Sequence, residues 1–393
     1  MNETIYMPVG EVCSSISDTY REKKNMVTLI NTSDVLEGRV LNHERVPNSN
    51  LKGQFKKTFQ RDDILYSEIR PQNRRFAYVD FSPIDYIAST KLMVIRAKKD
   101  VVSPKYLYYF LKNSSTVVEL QLLAETRSGT FPQITFSEVA NLTIPVPPLA
   151  VQEVIVQTMQ CLEEKIICNE QINDNLEQQA QSYFQELFVD NADPEWAIGT
   201  ISDLGTIVGG STPSKAKPEY YTESGIAWIT PKDLSINKSK FVSHGENDIT
   251  ELGLKNSSAA IMPEGTVLFS SRAPIGYIAI AAGEVTTNQG FKSVVPKPEI
   301  GTPFVYFFLK NTLPVIEGMA SGSTFKEVSG STMKNVPAVI PDAETLAKFS
   351  DFCAPIFAQQ RILEEQNQSL ATLRDNLLPK LMSGEIDVST VQL

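Results

Sequence analysis

The chain has 393 residues, 42% hydrophobic and 21% charged, with a formal net charge of −10. That length suits two or three domains with cores of their own, and the balance is that of an ordinary globular protein. No run of about 18 apolar residues occurs, which argues against a membrane span, and the start, MNETIYMPVGEV, lacks the basic and apolar stretches of a secretory signal.

Along the chain, residues 1–150 carry 19 basic against 16 acidic side chains. Strand-like runs such as LMVIRA (92–97) are separated by Gly, Pro, Asn and Ser punctuation. A short helix is expected at SPKYLYYFLKN (103–113), where Ser-Pro supplies an N-cap followed by proline in the first turn. Its Tyr108 and Phe110 read as core. After VPP (146–148) comes a long helical pattern without glycine, rich in Glu, Gln, Asn and Leu. Residues 151–195 hold 1 basic and 10 acidic side chains. Leu162, Asn169, Leu176 and Tyr183 fall seven apart on this helix, with Ile166, Ile172 and Leu187 beside them. Cys161 and Cys168 lie on it two turns apart. Like Cys13 and Cys353, they lack metal-ligand spacing and read as small buried residues in a reducing cytoplasm. Residues 196–337 balance 12 basic with 12 acidic side chains. They contain strand-like AWIT (227–230) and YIAIAA (277–282), then TPFVYFFLKN (302–311), a second short helix with Phe307 and Leu309 in the core. Residues 338–393 carry 4 basic and 8 acidic side chains. Here Ile356, Leu363, Leu370 and Leu377 are seven apart, Leu373 and Leu381 widen the stripe, and Pro355 is expected to mark a kink or the helix start.

These elements repeat. INTSDV (30–35) stands opposite ITPKDL (229–234), ILYSEIRP (64–71) opposite VLFSSRAP (267–274), YYFLKN opposite YFFLKN, and RSGTF (127–131) opposite ASGSTF (320–325). The order never changes and the offset drifts little, as in a diverged tandem duplication. The implied fold is α+β: two mixed α/β domains in tandem, at 1–147 and 196–340, separated by two long antiparallel coiled-coil helices, one at 148–190 and one, with a tail, at 341–393, in pseudo-twofold arrangement. A seven-residue apolar repeat packs one helix along another, and Asn169, Gln359 and Gln366 are polar insertions of the kind that fix register. Each helix is expected to run about 30 residues, or about 45 Å.

Catalytic signatures are absent. The only histidines, His43 and His244, sit in non-matching places. No GxSxG, HExxH, Walker A or GxGxxG context occurs. GGSTPSK (209–215) lacks the GKS/T ending of a phosphate loop, and the recurring Asp34 and Asp233 are single rather than paired. Binding is the better reading. The matched loops GGSTPSKAKPEYY, TPKDL, SSRAP, TTNQG and SGSTFKE are built from hydroxyl, amide and basic side chains. Such groups clamp phosphates and read base edges.

GGSTPSKAKPEYYTESGIAWITPKDL (209–234), LFSSRAPIGYIAI, TTNQGFKSV and SGSTFKEVSGSTMKNV resemble target-recognition domains of type I restriction–modification specificity subunits. LRDNLLPKLMSGEIDV is similar to that family's C-terminal helix and tail. The first half is similar more weakly, most clearly in TRSGTFPQITFSEVANLTIPVPP, and has VCSSISDTYREKKN in place of the GGSTPS loop. The resemblance implies a non-catalytic DNA-specificity subunit. Each domain would read one half of a bipartite asymmetric site in double-stranded DNA, with the helices as spacer. Its expected partners are two methyltransferase (modification) subunits and two motor-nuclease (restriction) subunits. S-adenosylmethionine, ATP and Mg belong to those partners, with no cofactor or metal in this chain. Expected DNA-binding residues in the second domain are Ser211, Thr212 and Lys215 for the backbone, Lys232, Arg272, Asn288 and Gln289 for bases, and Ser323, Thr324 and Lys326 for either. In the first domain they are Thr32, Ser33, Arg70, Arg74, Arg75, Lys91, Arg127 and Thr130. The alternative is an adaptor for a glycan or protein, with two binding domains on a coiled-coil stalk.

Overall fold

A computed structural model describes residues 4–49, 53–126, 132–272, 274–322 and 326–388. The chain divides into two compact units, residues 1–166 with 369–393, and residues 167–368.

In the first unit, Cys13–Ile16, Leu92–Ala97, Ile64–Ser67 and Phe76–Tyr78 form a four-stranded antiparallel sheet in that order. LMVIRA is an inner strand covered on both faces. Its period of two divides it between cores. Met93 and Ile95 join Ile64 and Tyr66 on one side, while Leu92 and Val94 join Leu65 on the other. A second sheet runs Arg45–Pro47, Met26–Ile30, Tyr86–Ser89, Phe55–Lys57, with the two inner strands parallel. Ile5–Pro8 pairs antiparallel with Thr143–Val146.

The second unit repeats this plan. Gly205–Gly209, Lys292–Pro296, Val267–Ser271 and Ile275–Ala281 follow the same order, and Phe241–Val242 adds a fifth, parallel edge strand. Val267 and Phe269 face one core and Leu268 the other. Ile226–Ile229 and Thr286–Thr287 are the matching parallel pair. Ala197–Thr200 pairs antiparallel with Pro337–Ile340. The duplication read from the letters is therefore a duplication of topology.

The helices depart from expectation in several places. SPKYLYYFLKN forms Pro104–Lys112, but a second helix, Ser114–Thr126, follows at once. In the other copy one continuous helix, Thr302–Met319, takes in Pro314. Tyr108, Phe307 and Leu309 are buried as expected, and Phe110 is half-buried. The two long helices span Leu149–Gln185 and Ala343–Ser383, 37 and 41 residues, so about 55 and 60 Å. They exceed the expected length because their first turns already pack on a core. Ile155 and Met159 lie in one core, Phe349 and Cys353 in the other. Pro355 thus lies inside the second helix and does not start it.

Within the second unit the helices run antiparallel. Asn169 donates to Asn367 Oδ1 at 2.8 Å and to Gln366, Gln360 donates to the carbonyl of Asn173, and Tyr183 packs on Phe352 with centroids 4.5 Å apart. Ile356 and Leu363 are buried. Ile166, Leu176, Tyr183 and Leu370 are half-buried, and in the first unit Leu162 and Leu377 pack against the core. Leu373 and Ile172 are instead exposed, each one position off the apolar stripe. Gln359 is exposed and its neighbour Gln360 is the buried one. Cys13 and Cys353 are buried, but Cys161 and Cys168 lie on the solvent face of their helix.

Candidate nucleic-acid interface

In the second unit, Thr212, Lys215, Lys232, Asn288 and Gln289 line one cleft of about 600 Å³. Three segments bring them together. The strand Ile226–Ile229 ends at Thr230, whose N–H is accepted by Asp233 Oδ2 at 2.7 Å in a capping box. That cap starts the helix Pro231–Ile236 and puts Lys232 in its first turn. The neighbouring strand Thr286–Thr287 leads directly to Asn288 and Gln289. Asn288 Oδ1 accepts from the Gly290 N–H at 2.8 Å, which holds the turn. The third segment, 210–215, lies against the second. The Ser211 N–H donates to the Thr287 carbonyl at 2.8 Å, and the Thr212 hydroxyl donates to Gln289 Oε1. A Cβ on Gly210 would stand 2.0 Å from the Asn288 carbonyl, so this approach needs glycine.

Trp228, Tyr221, Glu246 and Asn247 also line the cleft and were not foreseen as site residues. Trp228 lies in the strand-like run AWIT and is buried, and its Nε1–H donates to the Ser211 carbonyl at 3.0 Å and so ties the loop down. Glu246 pairs with Lys232 at 2.5 Å. Asp233, which recurs as Asp34, serves as a cap in both copies: Asp34 Oδ2 accepts from the Asn31 N–H at 2.7 Å. The recurrence is architectural.

Arg272 lies outside this cleft. It faces Glu327 at 3.7 Å, with Lys292 on the same carboxylate at 4.0 Å. Lys326 is exposed beside it, while Ser323 and Thr324 lie outside the described residues. In the first unit Thr32 and Ser33 sit on the short turn Thr32–Asp34 that matches Pro231–Ile236. Arg75 donates to the Ser33 carbonyl at 2.9 Å and braces that turn. Arg70 and Arg74 occupy left-handed backbone at φ 44° and 51°. Arg74 donates to Ser114 Oγ at 2.8 Å, and Lys91 reaches Gln133 at 3.2 Å and Glu68 at 3.4 Å. Arg127 and Thr130 lie outside the described residues. The counterpart of Arg272 in the first unit is Ile69, as the letters of ILYSEIRP and VLFSSRAP align them. The N–H groups of Ile134 and Val328 bond Glu68 and Ser271 respectively, both at 2.9 Å, which equates Ile69 with Arg272.

The repeated YxFLKN letters have a shared task. Lys112 pairs with Glu163, whose other oxygen accepts from Tyr109 at 2.8 Å. Lys310 pairs with Glu177, which also accepts from Tyr306 at 3.1 Å. Each lysine therefore ties its domain to a glutamate of the helix Leu149–Gln185. In the second unit Lys240 joins the same cluster. It pairs with Glu177, donates to Gln360 at 2.6 Å and stands 4.1 Å from the Phe357 ring centre. Burial alone would raise the Glu177 carboxyl, but Lys240 and Lys310 more than offset it and hold it below its ordinary value. Burial lowers Lys240 and Lys112, against the pull of their glutamates. Burial raises Glu364, although its oxygens accept from the Lys240 and Phe241 N–H groups.

Among the described residues no group of three or more His, Cys, Asp or Glu could hold a metal ion. Among them, too, no helix is long and apolar enough to cross a membrane.

The sequence profile described as "Type I restriction modification DNA specificity domain" matches twice, over residues 6–178 and 194–373. The chain is 29% identical to the type I restriction enzyme HindI specificity subunit of Haemophilus influenzae, covering 92% of this chain and 94% of that one. It is 38% identical over 194 residues to the MjaIX specificity subunit of Methanocaldococcus jannaschii, covering 47% and 45%. Its fold is similar to the type I restriction–modification S subunit of M. genitalium, with a TM-score of 0.55 at 17% identity over 97% and 96% of the two chains. Two matched units of one topology, each covered by the same profile, show that the chain belongs to the type I restriction–modification DNA specificity family.

Proposed function

We propose that this chain is the DNA sequence-specificity subunit of a type I restriction–modification complex. The domain at 1–147 reads one half of a bipartite asymmetric site in double-stranded DNA and the domain at 196–340 reads the other. The segment 148–190 and the C-terminal segment 341–393, a helix with a tail, are the spacer. The chain is not itself an enzyme. It recruits two methyltransferase subunits, which use S-adenosylmethionine on adenine, and two motor-nuclease subunits, which use ATP with Mg, in the cytoplasm. A target adenine must leave the duplex stack to be methylated, and the pocket that takes it belongs to the methyltransferase.

The observation that carries this reading is the convergence of Thr212, Lys215, Lys232, Asn288 and Gln289 on one cleft, from three segments distant in sequence. Hydroxyl, amide and ammonium groups gathered in this way suit phosphate and base edges. The same strand plan in the first unit offers a second reader of different sequence, as an asymmetric site requires.

The test is a single-molecule methylation map of genomic DNA from host cells with and without the gene. A bipartite adenine-methylated motif should disappear on deletion. A map that does not change, in cells where the partner subunits are expressed, rejects the reading.

A further inference from the structure

The amides of the second-unit cleft have their oxygens engaged within the protein. Asn288 Oδ1 is turned back onto the Gly290 N–H at 2.8 Å. A backbone N–H can only donate, so this bond also fixes which end of the amide is oxygen. Gln289 Oε1 receives the Thr212 hydroxyl. Each oxygen has one lone pair taken and is held toward the protein, which leaves the NH2 group as the free end of both side chains. Lys232, in the same lining, can only donate. Of the nearby carboxylates, Asp233 has both oxygens engaged and Glu246 has one. Asp233 holds the Thr230 cap and the Glu246 N–H, and Glu246 holds Lys232. Asn247, the remaining amide of the lining, comes from another strand, Asn247–Ile249.

An Asn or Gln that reads adenine uses its NH2 and its carbonyl together, against N7 and N6–H. A carbonyl already accepting a bond is poorly placed for that role. Guanine is different, because its major-groove edge presents two acceptors, N7 and O6, side by side. Cytosine presents a donor there and is refused by donors.

We infer that Asn288 and Gln289 read guanine in the half-site taken by the second domain, through their NH2 groups, with Thr212 and Gly290 keeping their oxygens occupied. This rests on the DNA-specificity reading above and goes beyond it by naming the base.

The experiment is the methylation motif of the full complex in cells, for the wild type and for N288D, Q289E and T212V. Both acidic variants keep the internal bond and replace the NH2 donor with an acceptor. One half of the wild-type motif should contain guanine. N288D and Q289E should each lower methylation of guanine-containing sites about tenfold or more, in that half alone, and shift preference toward cytosine or adenine. T212V should free the Gln289 carbonyl and admit adenine at the position Gln289 reads. A bipartite wild-type motif whose variant-sensitive half lacks guanine overturns the inference and leaves the specificity reading standing. So does a guanine that all three variants leave unchanged. A wild type with no bipartite motif rejects the specificity reading itself. Should an acidic variant methylate nothing, T212V decides alone, and an unchanged motif overturns the inference.

Discussion

At the scale of single residues, the cleft depends on an atom that is missing. Gly210 passes so close to the 287–288 backbone that a Cβ would meet the Thr287 carbonyl at 2.4 Å as well as that of Asn288. Gly210→Ala must lift the loop, break the Ser211–Thr287 bond and separate Thr212 from Gln289. Overpacking of this kind costs about 1–3 kcal/mol. The expected outcome is a lower melting temperature with loss of reading at one half-site, the other half remaining readable. Gly283 is the control, since a Cβ there meets nothing within 4 Å. Gly283→Ala should stay within about 0.5 kcal/mol of wild type. Thermal unfolding of the full chain and a methylation map measure both. Equal effects of the two substitutions would leave the loop contact without importance. Gly210 could be seen in the GGSTPSK letters as a turn residue, but not as a point of backbone contact, because its partner stands 78 residues away in sequence.

At the scale of elements, the question is what seats a reader domain on a helix. Glu177 receives two lysines, and one of them, Lys240, has only 6% of its side chain exposed. Removing the carboxylate orphans a buried ammonium, which costs about 3 kcal/mol or more. Glu177→Gln should lower stability by that order at neutral pH. The sign with pH follows from the depressed carboxyl. Its contribution is complete above its ordinary value of 4.5 and fades as pH falls through the lower folded value. The wild type should therefore lose its advantage over Glu177→Gln below about pH 4.5, as measured by denaturant unfolding across the acid range. A gap that persists undiminished to pH 2 would mean that the cost is one of packing. The sequence showed this clamp only as repeated letters, and Tyr and Phe at YxFLKN were rightly placed in the core. It did not show the lysine's partner, because Glu163 and Glu177 are two of many acids on a helix of acidic composition. The heptads were legible to within one position. Asn169 was the buried amide expected, whereas Gln360 took the place expected for Gln359, since the helix is wider-faced than a strict seam. The tandem α+β fold class was legible because topology repeats.

At the scale of the whole molecule, charge decides how much DNA binding the chain can carry by itself. Residues 1–150 hold 19 basic against 16 acidic side chains, 196–337 hold 12 of each, and the remaining segments are acidic. Each phosphate neutralised contributes about −0.9 to the slope of log affinity against log salt. A reader without net charge can supply only a few such contacts, so the chain without its partners should bind weakly. Within the second cleft the two ammonium groups differ. Lys232 is already paired with Glu246 at 2.5 Å, whereas Lys215 is exposed on the loop that Gly210 holds down. Lys215 is therefore the cation whose removal should register as a lost phosphate contact. In the complex with methyltransferase subunits, Lys215→Ala should weaken binding to all sequences alike and flatten the salt slope by about 1. The methylated motif should not change. Fluorescence anisotropy titrations between about 50 and 200 mM salt, on a site and a non-site duplex, measure the slope. A change confined to the site duplex would assign Lys215 to a base. An unchanged slope on both would take it off the DNA altogether, and the positive charge that holds the second half-site would then have to come from the partner subunits.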